Sequence, residues 1–252
     1  MLQLAGQQRF FEGDNMQLNQ NEAKKLAGRH AILEFVRDDM RLGLGSGTTS
    51  HFFVRELAKH IADGLNVTCT ATSRSTIDVA REVGIPIMDP NEIGQIDLTI
   101  DGPDEIDREF RMIKGGGACL LWEKIIAHAS TRMITICDES KLVEHLGAFP
   151  LPVEVVQFAW KQTERRVAGL LREFGIDARI VRRSRDERPV VTDSGHFILD
   201  CHCQVIDGAE LLETELNRIP GVVENGLFTR EAAGMVVGCF DGTSYVSLRA
   251  AS

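Results

Sequence analysis

Four short loops carry the residue types that a small phosphorylated and hydroxylated molecule would need. The first is GLGSGTTS at 43–50, set between a strand-like run and a helix-like one. Glycines such as Gly47 let backbone amides converge on a ligand, and a helix N-terminus favours an anion. Ser46, Thr48 and Thr49 add hydroxyl donors. A plain strand-to-helix turn with Ser/Thr capping would use the same residues. The spacing is not the GxGxxG of a dinucleotide fold, and no GKS or GKT follows as in a P-loop.

The second loop, Asp101-Gly102-Pro103-Asp104-Glu105-Ile106-Asp107, follows the apolar run IDLTI. It therefore sits at a strand's carboxyl end, where α/β proteins build their sites. Four carboxylates in seven residues repel one another unless something uses them. A metal, sugar hydroxyls or a lysine could do so; a solvated acidic turn is the bland alternative. The third loop, Lys114-Gly115-Gly116-Gly117, permits close backbone approach with a lysine at its mouth. The next run, ACLLWEKIIAHAS, has helical spacing and carries Glu123. Most helix-borne Glu-Lys pairs are solvated. This helix is markedly apolar, however, and partial burial would raise a carboxylate toward general-base range. Lys141, after the apolar run ITICD, makes the fourth loop.

These loops need a scaffold. Helical spacing is read over 21–37, with Leu26, Ile32, Leu33 and Val36 near one stripe. The run at 73–84 reads as a helix capped by Ser73 or Ser75 and stopped by Gly84. Strand-like runs recur at RLGL, NVTCTAT, IPIM, QIDLTID and RMITICD, alternating with helices. That pattern predicts a parallel sheet of βαβ units. The character changes after FPLPVEVV at 149–156. A helix is predicted at 160–173, ended by Gly175. ARIVRR and PVVTDSGHFILDCHC read as antiparallel strands with a turn at Asp193-Ser194-Gly195. A second helix is predicted near 208–218, and two strand-like runs close the chain. The division expected is an α/β domain of residues 21–149 plus 225–252, a small α+β domain of 150–224, and an N-terminal extension, 1–20, without periodic structure.

Composition narrows the function. The 252 residues carry 28 Lys plus Arg against 37 Asp plus Glu, a formal charge of −9. Such a chain is a poor binder of nucleic acid or of anionic membranes. No apolar run reaches the roughly 18 residues of a membrane helix, and no secretion signal is read at the N-terminus. The expectation is a soluble, cytoplasmic protein that holds an anion only through local donors. The six cysteines lie mostly in apolar runs, as small core residues do. Cys201-His202-Cys203 places two thiols on one face of a strand, but no second ligand pair accompanies them, and no metal site is expected.

The order GLGSGTTS, TSRST, DGPDEID, KGGGACLLWEK, DESK, FPLPVEVV resembles ribose-5-phosphate isomerase of type A, from about Lys24 to the C-terminal strands. The resemblance implies a Rossmann-like, mostly parallel α/β domain with a smaller α+β, ferredoxin-like lid domain. It implies interconversion of ribose 5-phosphate and ribulose 5-phosphate without metal or organic cofactor, by a homodimer or homotetramer. By position, Glu123 matches the family's proton acceptor. Asp101, Asp104 and Lys114 match groups around the sugar's carbonyl and hydroxyls, with Gly102, Pro103, Gly115, Gly116 and Gly117 in the same binding loops. Ser46, Gly47, Thr48, Thr49, Lys141 and Lys24 match the substrate and phosphate contacts. Pro103 replaces a usual small residue, and Trp122 stands where Arg is common. An isomerase of another sugar phosphate and a non-enzymatic sugar-phosphate sensor are the competing readings. A sensor would usually carry a DNA-binding module and could dispense with Glu123.

Overall fold

The computed structural model describes residues 9–11 and 17–250. In chain order the elements begin with β1 (Arg9–Phe11), α1 (Gln20–Phe35), β2 (Arg41–Leu44), α2 (Gly47–Ala62), β3 (Thr68–Ala71), α3 (Arg74–Glu82) and β4 (Ile96–Asp101). Then come β5 (Glu105–Ile106), β6 (Met112–Ile113), α4 (Leu120–His128), β7 (Ser130–Asp138) and a single 3-10 turn, Glu139–Lys141. The later part holds β8 (Leu151–Val155), α5 (Trp160–Glu173), β9 (Arg179–Arg182), β10 (Ser184–Arg185), β11 (Arg188–Pro189) and β12 (Phe197–His202). It ends with α6 (Ala209–Asn217), β13 (Val222–Asn225), β14 (Leu227–Phe228), β15 (Ala232–Gly238) and β16 (Thr243–Leu248). Among the described residues no helix is long and apolar enough to cross a membrane.

Two compact units share the chain. The first holds the chain up to Gly102, Ile125–Lys141 and Glu231 onward; the second holds Pro103–Lys124 and Leu142–Arg230. The crossings therefore differ from the divisions expected at 150 and 224. The reason lies in β5, β6 and β14, which hydrogen-bond to one another as a separate three-stranded sheet. Strands of two residues leave no periodic trace in a sequence.

The first unit is built on a seven-stranded sheet in the order β1-β16-β15-β7-β4-β2-β3. The run β15-β7-β4-β2-β3 is parallel, while β16 and β1 are added antiparallel. Within the parallel part, α2 makes the crossover from β2 to β3 and α3 the crossover from β3 to β4. Its core joins Leu42, Leu44, Leu98, Ile100, Ile134 and Ile136 to Ala27, Ala31 and Ile32 of α1 and Phe53 and Leu57 of α2. Asn19 and Glu22 cap α1 reciprocally, as a capping box. Leu33, expected on the buried stripe of α1, is exposed instead. IPIM forms no strand, only an isolated bridge from Ile87 to Cys69. Arg9–Phe11, within the segment expected as an extension, pairs with β16 as the edge strand; the rest of 1–16 lies outside the described residues.

The second unit contains a four-stranded antiparallel sheet, β13-β8-β12-β9. Numbered from β8, the elements run β-α-β-β-α-β with sheet order 4-1-3-2, the ferredoxin-like arrangement. Val167 and Leu171 of α5 and Leu212 and Leu216 of α6 share one core with Leu151, Val153, Val155, Leu199 and Cys201. Cys201 and Cys203 are core residues here, and burial pushes the Cys203 thiol up to about 12. The expected pairing of PVV with HFILD reduces to one bridge, Val191 to Phe197. Instead β10 and β11 form a tight hairpin through Asp186 and Glu187, both in the left-handed region.

Candidate active site

In the first unit, β2 is flanked by β3 on one side and β4 on the other. The chain order reverses there, which makes the carboxyl ends of β2 and β4 a topological switch point. The glycine turn leaves β2 and the acidic loop leaves β4 at this place. Asp101 is fully buried, and its Oδ1 accepts from Ser46 N at 3.0 Å, Ser50 Oγ at 3.0 Å and Gly102 N at 2.8 Å. Gly45 makes this approach possible, since a Cβ there would lie 2.2 Å from the same oxygen. Ser46 is the N-cap of α2, yet its hydroxyl bonds Thr72 Oγ1 at 2.7 Å and does not cap the helix. Gly47 and Thr48 are exposed and Thr49 half-buried, so the first turn of α2 faces solvent without a side-chain cap. That is the arrangement an anion needs. Lys24 is buried, with Nζ 3.4 Å from Thr48 Oγ1 and 4.0 Å from Asp138 Oδ2. Lys141 is half-buried in the 3-10 turn after β7. One turn into α2, burial and then Arg55 lower the pKa of His51.

In the second unit, Lys114 directly follows β6 and opens the glycine loop, and Glu123 sits on α4. Their side chains meet at 3.3 Å, with Lys114 1% and Glu123 5% exposed. Lys114 Nζ also lies 5.5 Å from the centre of the Phe228 ring. Asp104 Oδ2 accepts from Gly116 N at 2.7 Å, and a Cβ on Gly116 would lie 2.6 Å from Asp104 Oδ1. Each aspartate thus rests on a glycine: a side chain at Gly45 would also strike the Asp101 backbone, and one at Gly116 would displace the Asp104 carboxylate. The other two carboxylates of the acidic loop are absorbed by structure. Glu105 accepts from Gly147 N and Phe149 N, and Asp107 from Glu109 N, Arg111 N and Arg111 Nε. The crowding seen in the sequence therefore resolves into two structural acids and two placed in candidate loops.

The model of the family described as ribose 5-phosphate isomerase A (phosphoriboisomerase A) matches residues 68–242. The chain belongs to the ribose 5-phosphate isomerase A family. It is 70% identical over 236 residues to ribose-5-phosphate isomerase A 2 of Yersinia pseudotuberculosis, covering 93% of this chain and all of that one. The solved ribose 5-phosphate isomerase of Plasmodium falciparum superposes with a TM-score of 0.86 at 30% identity, covering 90% of this chain and 98% of that one. A D-ribose-5-phosphate isomerase solved in complex with phospho-erythronic acid gives 0.83 at 36% identity, with 90% and 99% covered.

Within this family member, sequence reasoning passed over two residues. Lys124, read as solvated beside Glu123, is buried and donates to Glu213, Glu224 and two carbonyls. Arg183 grips Asp200 through Nε and Nη2, while Nη1 donates to Gly115 O at 2.7 Å and Gly116 O at 3.1 Å. It ties β12 to the glycine loop that carries Lys114 and faces Asp104. No local signal marks it, because its partners lie 17 and 67–68 positions away. Arg183→Ala is expected to lower kcat about tenfold with a smaller change in KM, checked by steady-state kinetics. A wild-type kcat would remove Arg183 from the positioning of this loop. Trp122, next to Glu123 on α4, donates from Nε1 to Ser194 Oγ at 2.8 Å.

Proposed function

We infer that this chain interconverts D-ribose 5-phosphate and D-ribulose 5-phosphate, and we propose that Glu123 is the base. As a member of its family it is an aldose–ketose isomerase. The observation that supports the assignment of roles is the buried Lys114–Glu123 pair. Isomerisation moves a proton between C1 and C2 through an enediolate. One carboxylate can take the proton from one carbon and return it to the other, worth roughly 10²–10⁴-fold. The oxyanion that develops on the neighbouring oxygen needs a cation or N–H donors held in place beforehand. Lys114, beside the base, and the amides of Gly115–Gly117 are such groups. Asp104, and Asp101 on its three donors, suit the sugar hydroxyls and the opening of the furanose ring. The uncapped turn of Ser46, Gly47, Thr48 and Thr49, with Lys24 and Lys141, suits the phosphate. Binding the phosphate there supplies remote energy that positions the reacting carbons.

Phospho-erythronic acid, bound by the solved relative, has the chemistry this reading requires. It joins a phosphate to a carboxylate that mimics the two oxygens of an enediolate. The test is turnover of ribose 5-phosphate by the purified protein in EDTA, beside a panel of pentose and hexose phosphates. Conversion to ribulose 5-phosphate with metal chelated is expected. No turnover, turnover only with added metal, or preference for a hexose phosphate would overturn the reading. The expected homodimer or homotetramer belongs to the same proposal and is read by sedimentation. So does a cytoplasmic setting, which the six free cysteines suit.

A further inference from the structure

Within the second unit lies a cavity of about 310 Å³ that shares Gly116 and Gly117 with the isomerase reading but has an arginine-bearing side to which that reading assigns nothing. Gly116–Cys119 form one wall, Pro189–Val191 an apolar wall, and Arg183, Arg185 and Arg188 enter it together. Asp104, Lys114 and Glu123 do not line it.

The arginines explain why it asks for an anion. Arg185 and Arg188 are paired directly across the β10–β11 hairpin. Like charges directly opposite on a strand pair destabilise it. In a chain of net charge −9 a carboxylate partner would be easy to supply. Yet among the described residues neither arginine forms an ion pair or a side-chain hydrogen bond. Asp186 and Glu187 occupy the hairpin tip and do not line the cavity. The charge of Arg183 is already met by Asp200, so the surplus belongs to Arg185 and Arg188. On the opposite wall, residues 117–119 lead into α4, whose N-terminal amides add to the positive field. Asp193 on the rim is the one acidic side chain in the lining, and it has an interaction of its own.

We propose that this cavity is a second anion site, which takes a small phosphate-bearing molecule. Two guanidinium forks match phosphate oxygens in geometry and charge. Pro189–Val191 would cover the less polar part of the ligand. The volume suits a molecule of mononucleotide size at most. Because Arg183 and Gly116 line the cavity and also hold the Lys114 loop, an occupant would rest against that loop.

Titration calorimetry with pyrophosphate, and separately with AMP, tests this on the full chain. Wild type and Lys141→Ala are expected to bind one equivalent that the Arg185→Ala/Arg188→Ala double variant loses, or binds at least tenfold more weakly. Both arginines are exposed, so the double variant should fold; its isomerase turnover, expected within about twofold of wild type, confirms that it has. Binding by the double variant equal to that of wild type overturns the proposal. So does the absence of any binding by either probe at millimolar concentration.

Discussion

Glu123→Gln is expected to lower kcat for ribose 5-phosphate by at least a hundredfold while KM stays near the wild-type value. The substitution keeps the shape and removes the group that can accept a proton. If the carboxylate acts only in proton transfer, the loss falls on kcat and not on ground-state binding. The ion pair complicates a careless version of this experiment. Lys114 is 1% exposed, and a substitution that removes the carboxylate facing its ammonium would also destabilise the fold. Gln keeps an amide oxygen within reach of Lys114, whereas Ala would not. The melting temperature should therefore move little in Glu123→Gln, so that lost turnover reads as lost chemistry. Glu123→Asp provides the second reading, because it retains a carboxylate one methylene short. It should recover part of the activity that Gln loses. Turnover near wild type in Glu123→Gln would remove the residue from the role of base.

Legibility in the sequence followed the range of the interactions. Elements set by local rules came through. Ser73 caps α3 by accepting from Thr76 N, and Gly84 follows that helix with φ of 79°. The parallel strands β2, β4 and β7 fall on the apolar runs that announced them. The candidate loops follow strand ends as their flanking patterns required. What failed depended either on a turn whose residues do not announce it or on partners elsewhere in the chain. The hairpin at 184–189 turns on Asp186 and Glu187, two residues with side chains where such turns favour glycine or asparagine, so no turn signal was visible. IPIM has the composition of a strand but gains only one bridge from its neighbour. Glu105 and Asp107 have the same residue types as Asp101 and Asp104. Only the structure shows that Glu105 bonds Gly147 and Phe149 and Asp107 the Glu109–Arg111 turn, while Asp101 and Asp104 bond the glycine loops.

Lys124 is the strongest case of a residue whose meaning lies far along the chain, and its removal should be the costliest for stability. Its Nζ donates to Glu213 Oε1 at 2.8 Å, Glu224 Oε1 at 2.9 Å, Asn225 O at 3.0 Å and Leu227 O at 2.6 Å. The same ammonium lies 4.7 Å from the centre of the Phe228 ring. These partners are 89–103 positions away, so helix periodicity alone could not distinguish it from a solvated lysine. Lys124→Met keeps the apolar stem and deletes the charge. It leaves two largely buried carboxylates facing one another and two carbonyls without a donor. Removing one partner from such a cluster costs about 3–5 kcal/mol. For a chain of this size that corresponds to a fall in melting temperature of roughly 10 °C. The penalty comes from the abandoned acids more than from the lost attraction. Glu213→Gln and Glu224→Gln added to Lys124→Met should therefore restore much of the stability. A melting temperature for Lys124→Met within 2 °C of wild type would show that water reaches these carboxylates and that the ammonium anchors nothing. Because Lys124 adjoins Glu123 on α4, the two variants also separate two kinds of failure. Lys124→Met is expected to lose stability, while Glu123→Gln is expected to keep stability and lose turnover.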